Sequence, residues 1–443
     1  MNTKTAEGTP TPTTPPSLFD TPDYKRSRRA YMIQCSFEYF VSLLVADAFL
    51  AKLLTSIGMS DAMIGIISSF VTLAFVIQFF SVFVAQKIAN TKRFVMVFYI
   101  ASRLLFMALY LVPFLPFAAA YKRTLTVICI LLAYFGFYFV NTVFYKWGNS
   151  FVDPHHRARY SATKEKISLV AGMVVTLIIG YAMDAFEAAD NLHGGFLFAA
   201  IGILVFCICD FICIMLIKND IKRPEEMKDA PTVREVFRNT LCSRGFLNVI
   251  LLTVLWDVAR YTTIGFLGTY RIGELAYTVA QVQLINMLGC FGRFCVSGAF
   301  GKYSDKRSFA KGVELALIIC TVAFVGVVFT TPETKLLMIA YSLLYNICLA
   351  GLNQNMMNIT YSYIDSRYFV QASAIKNSIG GLCGFGASLL ASKLLAGVQA
   401  NGNMLFGIQI YGQQVLAAIS TVLLITAILF TRFVIGKQRV MKQ

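Results

Sequence analysis

The chain has 443 residues, 57% of them hydrophobic and only 14% charged, with a formal net charge of +16. A soluble protein carries about 25% charged residues, so this composition excludes an ordinary soluble domain. Crossing a bilayer takes ~20 mostly apolar residues. Some twelve such runs follow one another with short polar breaks, which predicts an all-α polytopic membrane protein.

In chain order, residues 1–30 open with a Thr/Pro-rich stretch lacking an apolar core. They read as a disordered cytoplasmic tail without a cleavable signal peptide. Residues 31–217 form a first six-helix bundle, with spans near 31–56, 61–88, 94–117, 124–147, 164–186 and 196–217. Residues 218–244 are a charged, proline-containing cytoplasmic linker with a surface helix over Val233–Leu241. Residues 245–436 repeat the plan, with spans near 245–270, 276–300, 311–331, 336–360, 370–397 and 412–434, before a short cytoplasmic tail, 437–443.

The two halves are related. At a constant offset, Ser150, Asp153, Ser161, Ala162, Lys164, Ile167 and Gly172 match Ser362, Asp365, Ser373, Ala374, Lys376, Ile379 and Gly384, and Asn141 matches Asn353 without a gap. Each copy ends one apolar run, crosses a polar loop and starts another, so the register of the loop repeats as well as the residues. Two six-helix repeats joined by a basic linker are a common plan of secondary transporters, with the solute held at mid-membrane where the halves meet.

Basic residues concentrate on one side. Lys25, Arg26, Arg28, Arg29, Lys92, Arg93, Arg157, Arg159, Lys306, Arg307, Arg432 and Lys437 flank segments on the side of the termini, whereas the opposite loops hold only Lys122, Arg123, Arg271 and Lys335. The positive-inside rule then puts both termini in the cytoplasm. The basic excess is accounted for by topology, and no nucleic-acid partner is expected. Ten of the eleven cysteines lie in apolar runs, Cys242 being the exception, at spacings that fit neither a metal site nor a disulfide framework. His155 and His156 read as a solvated basic loop, and no cofactor is expected.

Gly301-Lys302-Tyr303-Ser304-Asp305-Lys306-Arg307, between spans 8 and 9, resembles the front of the G-x-x-x-D-R/K-x-G-R-R/K loop of the major facilitator superfamily. Its first-half counterpart is eroded, with Val82 and Gln86 at the Gly and Asp positions. Asp153-Pro154-His155-His156-Arg157-Ala158-Arg159-Tyr160 is similar to the loop after the fourth helix of many bacterial members. Phe37-Glu38 and Gly58-Met59-Ser60-Asp61 resemble an uncharacterised bacterial branch, and the likeness covers about residues 30–435. It implies twelve helices in two pseudo-symmetric bundles, with helices 1, 4, 7 and 10 around a central cavity. It also implies a cytoplasmic gate in which Asp305 and Lys306, with Arg367 as partner, and Asp153 with Arg157 latch the halves.

Ionisable groups inside the bilayer cost at least ~2.5–3.5 kcal/mol, so each calls for a partner, a wet cavity or a function. Asp257 and Arg260, at i,i+3 near the middle of span 7 beside Thr253 and Tyr261, share one helix face. They either meet the solute or form a self-neutralising pair that fixes packing. Glu38 sits on a polar stripe of span 1, ~12 Å from the cytoplasmic end. It is a candidate proton carrier or a structural hydrogen-bonding acid. Asp47 falls on the opposite face, near the outer rim, with Lys52 beyond it. Arg103 and Asp210, at equal depth, read as a structural ion pair, and Arg293 has no evident partner. Tyr134, Tyr138, Asn141 and Tyr145 share one face of span 4. Span 10 carries Ser342, Tyr345, Asn346 and Asn353. These amides and phenols can bind a polar solute or bond between helices.

Together these features predict a secondary active transporter for a small polar organic solute. Asp257, Arg260, Tyr261, Tyr134, Tyr138, Asn141, Tyr345, Asn346 and Asn353 are expected on the solute path, with Glu38 coupling to H+. A proton is preferred to sodium because no unwound, carbonyl-rich segment is evident. The alternatives are efflux of amphiphilic compounds through the same cavity, or a non-transporting scaffold or receptor. No HExxH, GxSxG or phosphate-binding loop points to an enzyme or a primary pump. The expected setting is a monomer in the lipid bilayer of the cytoplasmic membrane.

Overall fold

The computed structural model describes residues 19–437 apart from 20, 87, 154–156, 220–232, 365–367 and 406. In the first half, α1 (Pro22–Leu44) and α2 (Asp47–Ser56) make span 1, and α3 (Asp61–Ser68) and α4 (Phe70–Gln86) make span 2. Spans 3 to 6 are α5 (Thr91–Leu111), α6 (Ala119–Ser150), α7 (Arg157–Ala188) and α8 (Leu192–Leu216). The linker carries α9 (Val233–Leu241). Span 7 begins as α10 (Arg244–Tyr261) and continues through a 3-10 turn at Ile264–Phe266 and a π turn at Tyr270–Glu274. Spans 8 to 12 are α11 (Val279–Lys306), α12 (Phe309–Val328), α13 (Leu337–Tyr361), α14 (Phe369–Ala400) and α15 (Gly412–Phe433). Twelve crossings bring both chain ends to one face, here the termini side; the other is the far side.

Helix starts are set locally. Asn90, Asn191, Ser243 and Ser308 each accept an amide hydrogen of the first turn, and Thr278 with Gln281 makes a reciprocal capping box. Regular helix extends beyond the apolar runs. Residues 22–30, expected in the disordered tail, are helical behind Pro22, whose fixed φ suits a first turn. Most of the expected loop before span 5 is likewise absorbed into α7 from Arg157 onward. Polar side chains that can reach water do not prevent a helix from continuing out of the bilayer.

The packing repeats as the sequence does. In the first half, span 1 packs on 5 and 6, span 3 on 4 and 6, and span 2 on 4. In the second, span 7 packs on 11 and 12, span 9 on 10 and 12, and span 8 on 10. The main contacts between bundles are span 2 with 11 and span 5 with 8, which exchange under the same correspondence. Large apolar side chains stay exposed in stripes such as Val170, Val174, Ile178 and Tyr181 on span 5. On a soluble protein such a patch would mark an interface; here it is the surface turned to lipid.

Eleven helical stretches among the described residues are long and apolar enough to cross a membrane. Span 1 falls outside that set because it is broken between Leu44 and Asp47, where Asp47 has φ 48. The break contains neither Pro nor Gly. A break inside a bilayer strands backbone carbonyls, each costing about 1–3 kcal/mol if left unpaired. Two buried tyrosines answer for them: Tyr110 Oη donates to the Leu44 carbonyl and Tyr134 Oη to that of Val45 at 3.3 Å. The expectation of no unwound segment is therefore corrected. The tyrosines, however, take up those carbonyls themselves.

Candidate functional site

Cavities 1 and 2 lie between the bundles, and cavity 3 lies mostly within the first bundle beside the interface. Cavity 1, of about 540 Å³, is lined from both halves by spans 1 to 4, 7, 8 and 10. Cavity 2, about 530 Å³, opens nearer the termini side between spans 2, 4, 7, 10 and 11. Cavity 3, about 470 Å³, lies mainly between spans 1, 4 and 5 and also meets Arg293. Phe75 lines both cavity 1 and cavity 2, and its ring stands edge-on to Tyr138 at 5.0 Å. Ser378 Oγ holds the Phe75 carbonyl at 2.9 Å from the opposite bundle.

The predicted solute-path residues divide between these spaces. Arg260, Tyr261, Tyr134, Tyr138, Tyr345 and Asn346 line cavity 1. Asp257, Asn141 and Asn353 line cavity 2. Asp257 and Arg260 form no ion pair within 4.0 Å, which disfavours the alternative of a self-neutralising pair. Their helix face straddles the partition. Asp257 still feels the charge of Arg260 and, less strongly, that of Lys376 of span 11, which also lines cavity 2. Span 11 comes so close that a Cβ on Gly380 would lie 2.4 Å from Asp257 Oδ2.

Cavity 1 is shut on the far side by bonds between bundles. Asp47 accepts from Arg271 Nη1 at 2.7 Å and Asn286 Nδ2 at 3.0 Å. Two expectations fail here. Arg271, placed in an outer loop, is buried in the π turn of span 7, and Asp47 faces the cavity instead of the rim. Lys52 pairs with Glu187 instead. Beyond this pair, Ser388 and Ser392 of span 11 donate to the Gly65 and Ala62 carbonyls, and Gln399 donates to Asp61. Asp184 of span 5 accepts from the Val279 and Ala280 amides at 3.1 and 2.9 Å, capping span 8 from across the interface. Gly265 meets Gly65 so closely that an added Cβ would lie 2.7 Å from the Gly65 carbonyl oxygen.

Toward the termini the bundles also meet. Arg293, left without a partner in the sequence reading, binds Glu165 at 2.7 Å across the interface. Asp305 and Lys306 are exposed at the end of span 8, and Asp305 has no ion-pair partner among the described residues. Its expected partner Arg367 lies outside the described residues. Asp153 ends the stretch after span 4, and of Arg157 only the backbone, at the start of α7, is described.

Glu38 lines cavity 3, which also holds Glu165, Lys164 and Arg293. Behind it lies a polar cluster inside the first bundle. Gln34 Nε2 and Arg103 Nη2 both donate to Tyr99 Oη at 2.8 Å, and Arg103 Nε lies 3.4 Å from Asp210 Oδ2. That contact is ionic without being a hydrogen bond, since Arg103 Nε and both Asp210 oxygens lack one. Arg103 also lies 4.5 Å from the Tyr99 ring centroid and 5.0 Å from that of Phe137. Glu38 acts electrostatically on Tyr99, Arg103 and Asp210, so the acid and the ion pair share one field.

Sequence reasoning missed Arg271, Asn286, Lys164, Glu165 and Lys376 as cavity groups. One signal was present: Lys164 and Lys376 are repeat equivalents, and they line cavities 3 and 2. Lys164 Nζ lies 4.8 Å from the Tyr31 ring centroid and 5.3 Å from that of Tyr145.

Solved structures with this arrangement share little sequence with the chain. A nucleoside transporter, NupG, is 12% identical with a TM-score of 0.65, covering 95% of this chain and 100% of its own. A bacterial homolog of the human lysosomal transporter Spinster, inward-facing and unoccupied, is 13% identical with a TM-score of 0.67, covering 96% and 100%. A peptide transporter, POT, in complex with sulfate, is 11% identical with a TM-score of 0.64, covering 92% and 94%. No curated protein sequence matches the chain. The sequence profile of the Major Facilitator Superfamily matches residues 30–388, and with twelve spans in two bundles related by one packing scheme, the chain belongs to that superfamily.

Proposed function

We propose that the chain is a secondary active transporter that moves a small polar organic solute by alternating access, coupled to a proton through Glu38. The observation that carries this reading is cavity 1, enclosed by both bundles and stopped on the far side by Asp47, Arg271 and Asn286. A space bounded by two separately packed bundles changes sides when one rocks against the other. On this reading Arg260, Tyr261, Tyr134, Tyr138, Tyr345 and Asn346 contact the solute, and Asp257, Asn141 and Asn353 line its path. Arg103 and Asp210 brace the first bundle behind Glu38.

The conformer fits one closed on the far side. Asp305, Lys306 and Arg367, with Asp153 and Arg157, form the opposite latch when the bundles meet toward the termini. The basic residues flanking the termini side support a cytoplasmic position for it, with the protein in the plasma membrane. The neighbours are named as carriers of nucleosides and peptides, which favours polar organic cargo here. The aromatic wall of cavity 1, including Phe106 and Phe137, favours efflux of amphiphilic compounds as the second reading.

Purified protein in liposomes tests the proposal through solute counterflow and acidification of an internal pH dye, for polar metabolites and for hydrophobic cations. Counterflow of a polar solute with proton entry is expected. Absence of counterflow for every compound overturns transport. Counterflow confined to hydrophobic cations selects efflux.

A further inference from the structure

Resting on the transport reading, we propose that the solute of cavity 1 is an organic anion with one acidic group, held by Arg260, on a flat apolar body. Charge accounting carries the inference. Arg103 is matched by Asp210 at 3.4 Å and Arg271 by Asp47 at 2.7 Å. Arg260 lines the same cavity and, among the described residues, has no carboxylate within 4.0 Å. Its Nε is buried without a hydrogen-bond partner, and the hydroxyl of Tyr345 in the same wall is also buried and unpartnered. The guanidinium carbon lies 4.9 Å from the Tyr261 ring centroid and 6.0 Å from that of Trp256. Such contacts offset only part of the cost of a guanidinium withdrawn from water.

The other cavities do not share this imbalance. Cavity 2 holds Asp257 and Lys376, one charge of each sign, and cavity 3 sets Glu38 and Glu165 against Lys164 and Arg293. Among the described residues Arg260 is therefore the cation of cavity 1 without a carboxylate in contact; Asp257, which acts on it from farther off, lines cavity 2. A guanidinium offers a planar fork of donors matched to a carboxylate or phosphate.

The shape of the body follows from the tyrosines. Span 4 presents Tyr134 and Tyr138 with near-parallel rings, 6.5 Å apart at 30°. Span 10, its counterpart, presents Tyr341 and Tyr345, 5.6 Å apart at 15°. All four line cavity 1, so each bundle offers a pair of rings against which a flat group can stack. Its 540 Å³ lies within the range of small-molecule sites.

The test is binding to the full chain in lipid nanodiscs, read by tryptophan fluorescence and titration calorimetry. The probes are four ligands of one shape: 2-naphthoate, 2-naphthyl phosphate, 2-naphthylmethanol and 2-naphthylmethylamine. At least one anion is expected to bind at least ~10-fold tighter than the alcohol and the amine, as expected for a charge-assisted hydrogen bond. The two anions separate carboxylate from phosphate recognition. Arg260→Gln should remove that margin while leaving the weak binding of the alcohol, and Arg260→Lys should restore part of it. Thermal unfolding and size-exclusion chromatography of the nanodisc-embedded variants show that they are folded. Equal affinity for all four probes, binding of none, or an anion preference that survives Arg260→Gln each overturns the inference. Anion binding with no counterflow of any compound sinks the transport reading and leaves this site standing. Counterflow of neutral or cationic solutes alone does the reverse.

Discussion

Replacing Gly265 with alanine tests the far-side seal most directly. Gly265 sits in the 3-10 turn of span 7, packed against α3 of the opposite bundle. The new Cβ would lie 2.7 Å from the Gly65 carbonyl oxygen, inside the 3.4 Å at which ordinary contact begins. The obstacle is backbone, so no side-chain rotation relieves it, and the bundles must separate locally. Overpacking of this kind costs about 1–3 kcal/mol. Charged wholly to the sealed state, that shifts the balance between sealed and open forms by about 5- to 150-fold. Spin labels on Tyr121→Cys and Leu336→Cys, exposed residues near the far ends of the two bundles, report the separation. The measurement needs a background without the eleven native cysteines. The expected result is a longer-distance population that grows with Gly265→Ala and is unchanged by Gly397→Ala, where an added Cβ meets nothing within 4 Å. An unchanged distance distribution in a folded Gly265→Ala protein would refute the account of the seal.

Asp47→Asn leaves Arg271, with a side chain only 6% exposed, facing a neutral amide. Because Asp47 itself is 29% exposed, about 1–3 kcal/mol of stability should be lost, below the full cost of breaking a buried pair. Thermal unfolding should show that loss, and adding Arg271→Met should recover part of it. Tyr110→Phe strands the Leu44 carbonyl at the break in span 1, with an expected loss of about 1–3 kcal/mol in the same assay. A Tyr110→Phe protein as stable as the parent would mean that the break is satisfied in another way. Glu38→Gln should abolish solute-dependent proton entry into liposomes while counterflow continues. If proton entry persists, Glu38 is not the coupling group.

What was legible follows from how directly each property depends on neighbouring residues. Apolar run length and the repeat around Asn141 and Asn353 set the number of spans and their grouping, because lipid imposes those rules on any chain. The break at Leu44–Asp47 left no trace in residues 44–47, since tyrosines on spans 3 and 4 make it tolerable. Arg271 was placed outside the membrane by counting from apolar boundaries. Asp47 on another span, facing the same cavity, is what lets a guanidinium sit inside. Asp257 and Arg260 do share a helix face, but Phe75 and Tyr138 divide the space in front of it. That division depends on packing between bundles, which no single span encodes. Lys164 and Lys376 stood in the repeat as plainly as the two asparagines, yet their nearness to a polar loop disguised them as surface residues.

The cap that Asp184 places on span 8 has a bearing on how readily the far side can part. Two peptide amides at Val279 and Ala280 are served by a carboxylate from the neighbouring bundle, while Thr278 and Gln281 secure the same helix end from within. When the bundles move apart, the helix keeps its own clasp, and water at the membrane surface can take over the two amides that Asp184 releases. The joint resembles a fastener whose two faces are each finished, so that separation exposes no raw backbone edge and rejoining requires no refolding.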